Sequence, residues 1–463
     1  MLVAFLVAGA FFMENLDGTV IATALPQMSR TFHADPVGMN IGMTAYLLAV
    51  AVFIPISGWV ADRFGARSVF AAAISIFTLS SIFCGLSNSL GQFAAMRVVQ
   101  GLGGAMMVPV GRLVVLRTTQ KRDLVRAIAY VTWPGLAAPI IGPPLGGFIT
   151  TYASWRWIFY LNVPLGLIAL ALTFLWVKNE FADERTPFDG MGFGLVATAS
   201  GALMYGMDLL SQPVTPWPTF GVLFGLAACL GVALVVHLRR AEFPLFQLNL
   251  LRKPTFAVTI WGGSAFRMAI GATPFLLPLM FQIGYGLNAY ASGLLLLAVF
   301  AGNLAMKPAT TPLLRRFGFR TALIGNGFLV ALTLFACSLL SPATPKVLVV
   351  AALFAGGLTR SMQFTSLNTV GFADVPDSQM SKANALISTV QQITGGMGIA
   401  VGAIALRLAT KLAPSQGPNP SVTDFQIAFA ILGSLALLAI LDCFSLKPDA
   451  GELVSGHRQG ARA

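Results

Sequence analysis

A chain of 463 residues that is 56% hydrophobic and only 10% charged, with a mean hydropathy of +0.78, stands far from the roughly 25% charge of soluble domains and reads as an integral membrane protein. Its net charge of +12 does not indicate nucleic acid, because the Lys and Arg residues fall in short clusters between apolar runs and form no continuous stripe. The four cysteines lie singly inside apolar runs without metal-ligand spacing, and no phosphate loop or Ser-His-Asp set occurs, so we expect no enzyme, metal or organic cofactor.

In chain order, apolar stretches of about 20 residues, each enough for one helical crossing, fall near 2–26, 39–61, 68–87, 91–116, 125–150, 155–177, 189–210, 217–237, 255–282, 290–313, 321–341, 346–370, 383–409 and 424–446, fourteen in all. The first begins at Met1 and is too long for a signal-peptide core, so a short cytosolic lead is expected ahead of it. With Met1 on the cytoplasmic side, nineteen Lys and Arg fall in inner loops and the tail, against four (Arg30, Arg156, Lys346 and Lys411) outside. That bias places both termini in the cytoplasm. Six more basic residues lie within spans. Arg112, Lys307 and Arg407 are close enough to span ends to snorkel, whereas Arg97, Arg267 and Arg360 are candidates for burial.

Span one carries Glu14 and Asp17 in its middle. An acid there costs roughly 3 kcal/mol even on lenient scales, so it is a functional-site hypothesis by default. A spacing of three puts both on one helix face, where we expect a shared cavity and mutual influence on protonation.

Between spans two and three the chain reads Gly58-Trp59-Val60-Ala61-Asp62-Arg63-Phe64-Gly65-Ala66-Arg67, and between spans ten and eleven Thr311-Pro312-Leu313-Leu314-Arg315-Arg316-Phe317-Gly318-Phe319-Arg320. The recurrence of Arg-Phe-Gly-x-Arg at equivalent turns points to two homologous six-helix bundles, with spans seven and eight an extra central pair. Such repeats typify secondary transporters, whose sites lie between the halves. In the first copy Gly58 would allow close helix approach, Asp62 would cap or pair at a helix end, and Arg63 and Arg67 would bind carbonyls or acids across a moving interface, with Gly65 at the turn. A basic turn that only fixes topology is the alternative. Arg315 replaces the acid in the second copy, so any charge latch belongs to the first half.

Span four contains Arg97-Val98-Val99-Gln100-Gly101. A guanidinium in a membrane keeps its proton and must find an acid, carbonyls or water, and Glu14 and Asp17 are the obvious acids; anchorage to carbonyls alone is the alternative. Span five carries Gly142-Pro143-Pro144-Leu145-Gly146-Gly147, in which glycines four apart make a close-packing face and prolines loosen the helix. A generic packing kink would have the same sequence. In the C-terminal half, Arg267, Arg360 and Gln363, with Asn303, Asn368, Gln391 and Gln392, would line a cavity if they face inward, although interhelical hydrogen bonding accounts equally well for the amides.

Taken together, the loop from Gly58 to Arg67, the Arg97–Gln100–Gly101 set and the Gly142–Gly147 segment resemble the signature loop, proton-coupling region and antiporter motif of the major facilitator superfamily. Leu16-Asp17-Gly18-Thr19 with Ala24-Leu25-Pro26, and Trp155-Arg156-Trp157-Ile158-Phe159 leading to Asn162-Val163-Pro164, resemble its fourteen-span drug:proton antiporter family, the EmrB/QacA group. Two departures stand out: Ala22 where that pattern has Asn, and Glu14 where it requires no acid.

The resemblance implies an all-α membrane protein of major facilitator fold. The expected divisions are an N-terminal bundle (1–177), two extra helices with linkers (178–253), a C-terminal bundle (254–446) and a cytoplasmic tail (447–463). It implies a monomeric antiporter of the bacterial inner membrane that exports amphipathic, cationic compounds in exchange for protons, the coupling ion. Asp17, Glu14 and Arg97 would couple the proton. Glu14, Asp17, Gln100, Arg267, Arg360 and Gln363 would bind substrate, and Gly58, Asp62, Arg63, Gly65, Arg67, Gly142, Pro143, Gly146 and Gly147 would gate. Arg267 and Arg360 keep open a narrower exporter of organic anions, and a non-transporting sensor is a further alternative. The outer segment Leu412–Thr423 is too short and polar to identify a docking site for a periplasmic adaptor.

Overall fold

The computed structural model describes residues 2–118, 124–179, 187–211, 214–376, 379–412 and 419–452, with side chains omitted over 116–136 and at 380–381. Lys121, Arg122, Arg185, Arg458, Arg462 and part of the 412–423 segment lie outside the described residues. All regular structure among the described residues is helical: α1 (Leu2–Val20), α2 (Leu25–Phe32), α3 (Asn40–Phe53), α4 (Ser57–Phe64), α5 (Ala66–Leu86), α6 (Leu90–Thr118), α7 (Leu124–Tyr152), α8 (Trp157–Tyr160), α9 (Asn162–Trp176), α10 (Gly190–Ser211), α11 (Trp217–Arg240), α12 (Pro254–Gly271), α13 (Thr273–Leu279), α14 (Ala289–Ser338), α15 (Lys346–Val370), α16 (Met380–Leu412) and α17 (Val422–Cys443).

Twelve helical stretches are long and apolar enough to cross a membrane. One of them, α14, is two helices meeting at Gly318, and the 29-residue α7 has the length for a further crossing. The chain is therefore a multi-pass membrane protein with twelve to fourteen crossings among the described residues, a range that includes the fourteen expected from its sequence. Helices are the natural solution here because they satisfy every backbone donor and acceptor within the segment.

The repeat read from sequence has a backbone counterpart. Gly65 (φ +88°) separates α4 from α5, and Gly318 (φ +71°) separates the two parts of α14, so the same turn with the same glycine-only conformation recurs. Asn179, just after α9, braces the first turn: its side chain lies where a Cβ on Gly65 would stand, accepts from the Ser68 amide (3.3 Å) and donates to Ser68 Oγ (3.0 Å). Gly58 behaves otherwise than expected. A Cβ there would meet open space, so no close helix approach uses it in this conformation.

Gly142 and Gly146 seat α7 directly on α1: a Cβ at either would strike Thr19, Val20 or Thr23. Gly147 and Gly293 instead bring α7 against α14. Added methyls would lie 2.8 Å from the Tyr290 Cα and 2.7 Å from the Pro143 carbonyl carbon. Around this crossing, at the end of the molecule remote from the termini, further bonds tie the N-terminal to the C-terminal helices. Gln282 Nε2 donates to the Thr23 carbonyl (3.1 Å), the Tyr290 amide donates to Thr151 Oγ1 (3.1 Å), and Arg407 forms an ion pair with Asp35. That end is closed. Arg407 is thus a cross-half contact rather than the snorkelling residue expected. The added helix α10 packs on both α3 and α16, while α11 buries only 6% of its spanning window and stands outermost.

Candidate functional site

Asp17 on α1 and Arg97 on α6 meet in the core of the N-terminal helices, each 1% exposed. Arg97 Nη1 donates to Asp17 Oδ2 (2.6 Å) and to Gln100 Oε1 (2.6 Å), while its Nε donates to the Gly42 carbonyl (3.0 Å). Its guanidinium lies 4.2 Å from the centre of the Tyr46 ring. On the other side of the carboxylate, Oδ1 accepts from Gln100 Nε2 (3.0 Å) and Asn162 Nδ2 (2.8 Å). Those same two amide groups donate to Ser81 Oγ at 2.7 and 3.2 Å, and Ser81 passes its own proton to the Phe77 carbonyl (2.9 Å).

Five helices, α1, α3, α5, α6 and α9, therefore contribute to one closed network around a single carboxylate. Three donors converge on Asp17 and every amide proton is used. A carboxylate with this many charge-assisted and amide donors is held as an acceptor. A proton placed on Oδ2 would turn that acceptor into a donor facing the Arg97 N–H and leave the buried guanidinium without its counter-charge.

Glu14, one turn nearer the N-terminus, does not share that pocket. It lines a separate vestibule of ≈750 Å³ between the halves, together with Gly58, Arg112, Asn368, Asn384, Gln391 and Gln392. Its Oε2 is shielded and, among the described residues, has no hydrogen-bond partner. The shared cavity expected for the two acids is thus replaced by two environments, one sealed and one open: the side chains are only about 60° apart around the helix and about 4.5 Å apart along it, but Arg97, Gln100 and Asn162 close over Asp17 alone. Arg112, expected to snorkel, faces this vestibule.

A second cavity, of ≈370 Å³, lies between the halves farther from the termini. Asn15, Thr19 and Pro143 line it from the N-terminal side, and Thr273, Asn303, Lys307 and Arg360 from the C-terminal side; among the described residues no carboxylate lines it. Lys307 Nζ donates to Thr365 Oγ1 (3.2 Å) and the Arg360 guanidinium lies 5.6 Å from the Phe364 ring centre. Lys307 was expected to snorkel from a span end; the helix runs on to Gly318, which sets the residue about 16 Å inside it.

Arg267 and Gln363 line neither cavity. Arg267 is spent on the Thr259 carbonyl (3.0 Å) and Asn368 Oδ1 (3.2 Å), and Gln363 accepts from Asn326 Nδ2 (2.8 Å) inside the C-terminal helices. Of the expected gating residues, Asp62 and Arg67 are half-buried, Arg63 is exposed and Gly65 is buried at the end of α4 that carries the termini. Sequence reasoning did not single out Asn162, Ser81 and Tyr46 as site residues. Asn162 had a signal, since it opens the Asn162-Val163-Pro164 stretch, whereas Ser81 is one hydroxyl among many.

Residues 4–399 match the family model described as "Major Facilitator Superfamily". Proteins named "Putative multidrug resistance protein MdtD" from Salmonella paratyphi A and Salmonella typhimurium are each 37% identical over 407 residues, covering 87% of this chain and 85% of theirs. Among solved structures, a D-xylose-proton symporter superposes with a TM-score of 0.69 at 13% identity, covering 97% of this chain and 98% of its own. A bacterial homologue of the human lysosomal transporter Spinster, in an inward-facing and unoccupied conformation, gives 0.64 at 16% identity, covering 98% and 96%. With the sequence match spanning most of its length and the fold agreeing throughout, the chain is a membrane transporter and not an enzyme, and it belongs to the major facilitator superfamily.

Proposed function

We propose that this protein is a proton-exchanging exporter of amphipathic small molecules in the bacterial inner membrane, working as a monomer by alternating access. The observation that carries the reading is the Asp17 network. A proton on Oδ2 of Asp17 would face the Arg97 donor from which that oxygen now accepts, so in this reading proton uptake favours a packing of α1 in which the pair is loosened from α6. A ligand shifts a conformational equilibrium only through such differential stability. With both termini cytoplasmic, as the positive-inside bias favours, the vestibule opens to the cytoplasm and the Asp35–Arg407 end closes toward the outside. Cargo entering beside Glu14 would move to the cavity lined by Lys307 and Arg360, and protonation from the outer side would reset the cycle. The names of the MdtD relatives support a range of toxic compounds as cargo.

Proteoliposomes loaded with a pH indicator test this. Asp17→Asn is expected to abolish substrate-driven proton movement, while substrate binding persists; normal coupling in that variant removes Asp17 from the role.

The charge of the cargo has two readings. Glu14 on the vestibule, with its free acceptor oxygen, supports a cation. The inner cavity supports an organic anion instead, because Lys307 and Arg360 line it without a carboxylate. Binding of matched amphiphiles that differ only in the sign of the head group separates them: anion binding lost in a Lys307→Met/Arg360→Met double variant supports the second reading, and cation binding unaffected by it excludes that reading.

A further inference from the structure

The largest of these cavities, ≈850 Å³, belongs to neither the proton site nor the pathway between the halves. It lies where the outermost helix, α11, hands the chain back to the C-terminal bundle through residues 241–253 and the start of α12. Its polar wall is Arg239, Arg252, Glu242 and Gln247; its apolar wall includes Leu238 and Trp261. Among the described residues neither arginine has an ion-pair partner, and the Gln247 Oε1 is shielded without a hydrogen-bond partner.

We propose that this groove is a binding site for one monoanionic glycerophospholipid of the leaflet on the side of the termini, with the phosphate on Arg239 and Arg252 and the acyl chains along α11 and Trp261. Three features select that occupant. The first is charge: two guanidiniums and one carboxylate leave a single net positive charge at the groove, which one phosphodiester neutralises, and a guanidinium matches two phosphate oxygens at once. Depth is another. Trp261 lies seven residues into α12, about 10 Å from its start, where indole rings mark the boundary between head groups and hydrocarbon. It is 63% exposed, and α11 beside it buries so little of itself that the groove opens directly onto lipid. The last is the Gln247 oxygen, an acceptor with nothing to accept, which a head-group hydroxyl would satisfy. Phosphatidylglycerol supplies both the single charge and the hydroxyl. A basic pocket between spanning helices at the head-group level is the general form of such sites.

Bound there, the lipid would bridge α11 and α12. The linking segment is otherwise held to the added helices by Asp189, whose Oδ2 accepts from the Leu245 amide (2.9 Å) and whose Oδ1 lies 2.7 Å from His237 Nε2.

Native mass spectrometry of the full chain in detergent, titrated with phosphatidylglycerol, phosphatidylethanolamine or phosphatidylcholine, tests the site. The wild-type protein is expected to retain phosphatidylglycerol in a 1:1 adduct in preference to the zwitterionic lipids. Arg239→Ala and Arg252→Ala should each weaken it about fivefold and the double variant about 30-fold, from the contribution of one basic residue at a charged head group. Arg239→Lys/Arg252→Lys should keep much of the preference, and Arg30→Ala, an exposed arginine at the other end, all of it. Both groove arginines are exposed, so a normal melting temperature is expected in every variant and is checked by the same sample's thermal unfolding. Equal retention of the three lipids, or an adduct untouched by the double variant, overturns the proposal. So does displacement of the lipid by millimolar glycerol phosphate, which would make the groove an ion site rather than a lipid site.

Discussion

Gly293 and Gly147 make the α7–α14 crossing possible, and enlarging either should open the closed end of the transporter. In the observed conformation a methyl at Gly293 would stand 2.7 Å from the Pro143 carbonyl carbon and 3.1 Å from the Pro144 Cα; one at Gly147 would stand 2.8 Å from the Tyr290 Cα. These are backbone atoms of membrane helices and cannot rotate aside as a side chain would. Overpacking of this kind costs about 1–3 kcal/mol. The penalty applies only where the two helices touch, so the ratio of molecules closed at this end to molecules open there should fall about 5- to 150-fold in Gly293→Ala, one decade for every 1.4 kcal/mol. Spin labels on Ala153 and Ala343, exposed at this end on opposite halves, would report the change as a longer distance population, in a background where the exposed Cys229 is replaced. Gly325→Ala is the control, because a methyl there meets nothing within 4 Å. A distance distribution in Gly293→Ala that matches this control would refute the assignment of the crossing as a gate.

Three further outcomes follow from the geometry. Arg97→Lys keeps the charge but cannot serve Asp17, Gln100 and the Gly42 carbonyl together, so proton-coupled transport in vesicles should fall nearly as far as in Asp17→Asn, and near-normal transport would show that charge alone suffices. Gly65→Ala and Gly318→Ala each force a side chain into a positive-φ conformation, a strain of about 1–3 kcal/mol, and should lower the melting temperature, with Gly65→Ala the worse because Asn179 must also move. Asp189, outside the spanning segments, is buried enough to disfavour its charge, but donation from the Gly192 and Leu245 amides and from His237 prevails and holds its carboxyl below the ordinary 3.8. Its contribution to the α10–α11 junction is therefore complete above that value and lost as the pH falls through the lower folded one; Asp189→Asn should show the same melting temperature at neutral pH as at the acid end of the wild-type profile, and a wild-type-like value at neutral pH counts against the role.

The parts of this protein legible in its sequence are those where the bilayer makes an exception costly. Asp17 and Arg97 stand out because each is a charge in an apolar run, although the sequence left Arg97 a choice between Asp17, Glu14 and backbone carbonyls. The turn glycines are legible because Gly65 and Gly318 sit in a repeated Arg-Phe-Gly-x-Arg string, and only glycine adopts that backbone without strain. Neutral groups carry no such mark. Asn162 and Ser81 complete the shell of Asp17, yet an amide or hydroxyl in a membrane helix has many ordinary uses, and nothing local to residue 162 or 81 reveals what lies across from it. Arg267 and Lys307 show why facing matters as much as charge. Arg267, deep within its apolar run, is consumed by neighbouring carbonyl and amide oxygens, whereas Lys307, close to the end of its run, lines the cavity. Position along a span fixes depth to within a turn, but about 100° of rotation per residue decides whether a charge meets its own bundle, the pathway or lipid. Glu14 and Asp17, on one helix and within one turn, end in different compartments: Asp17 inside the closed network with Arg97, and Glu14 on the vestibule between the halves.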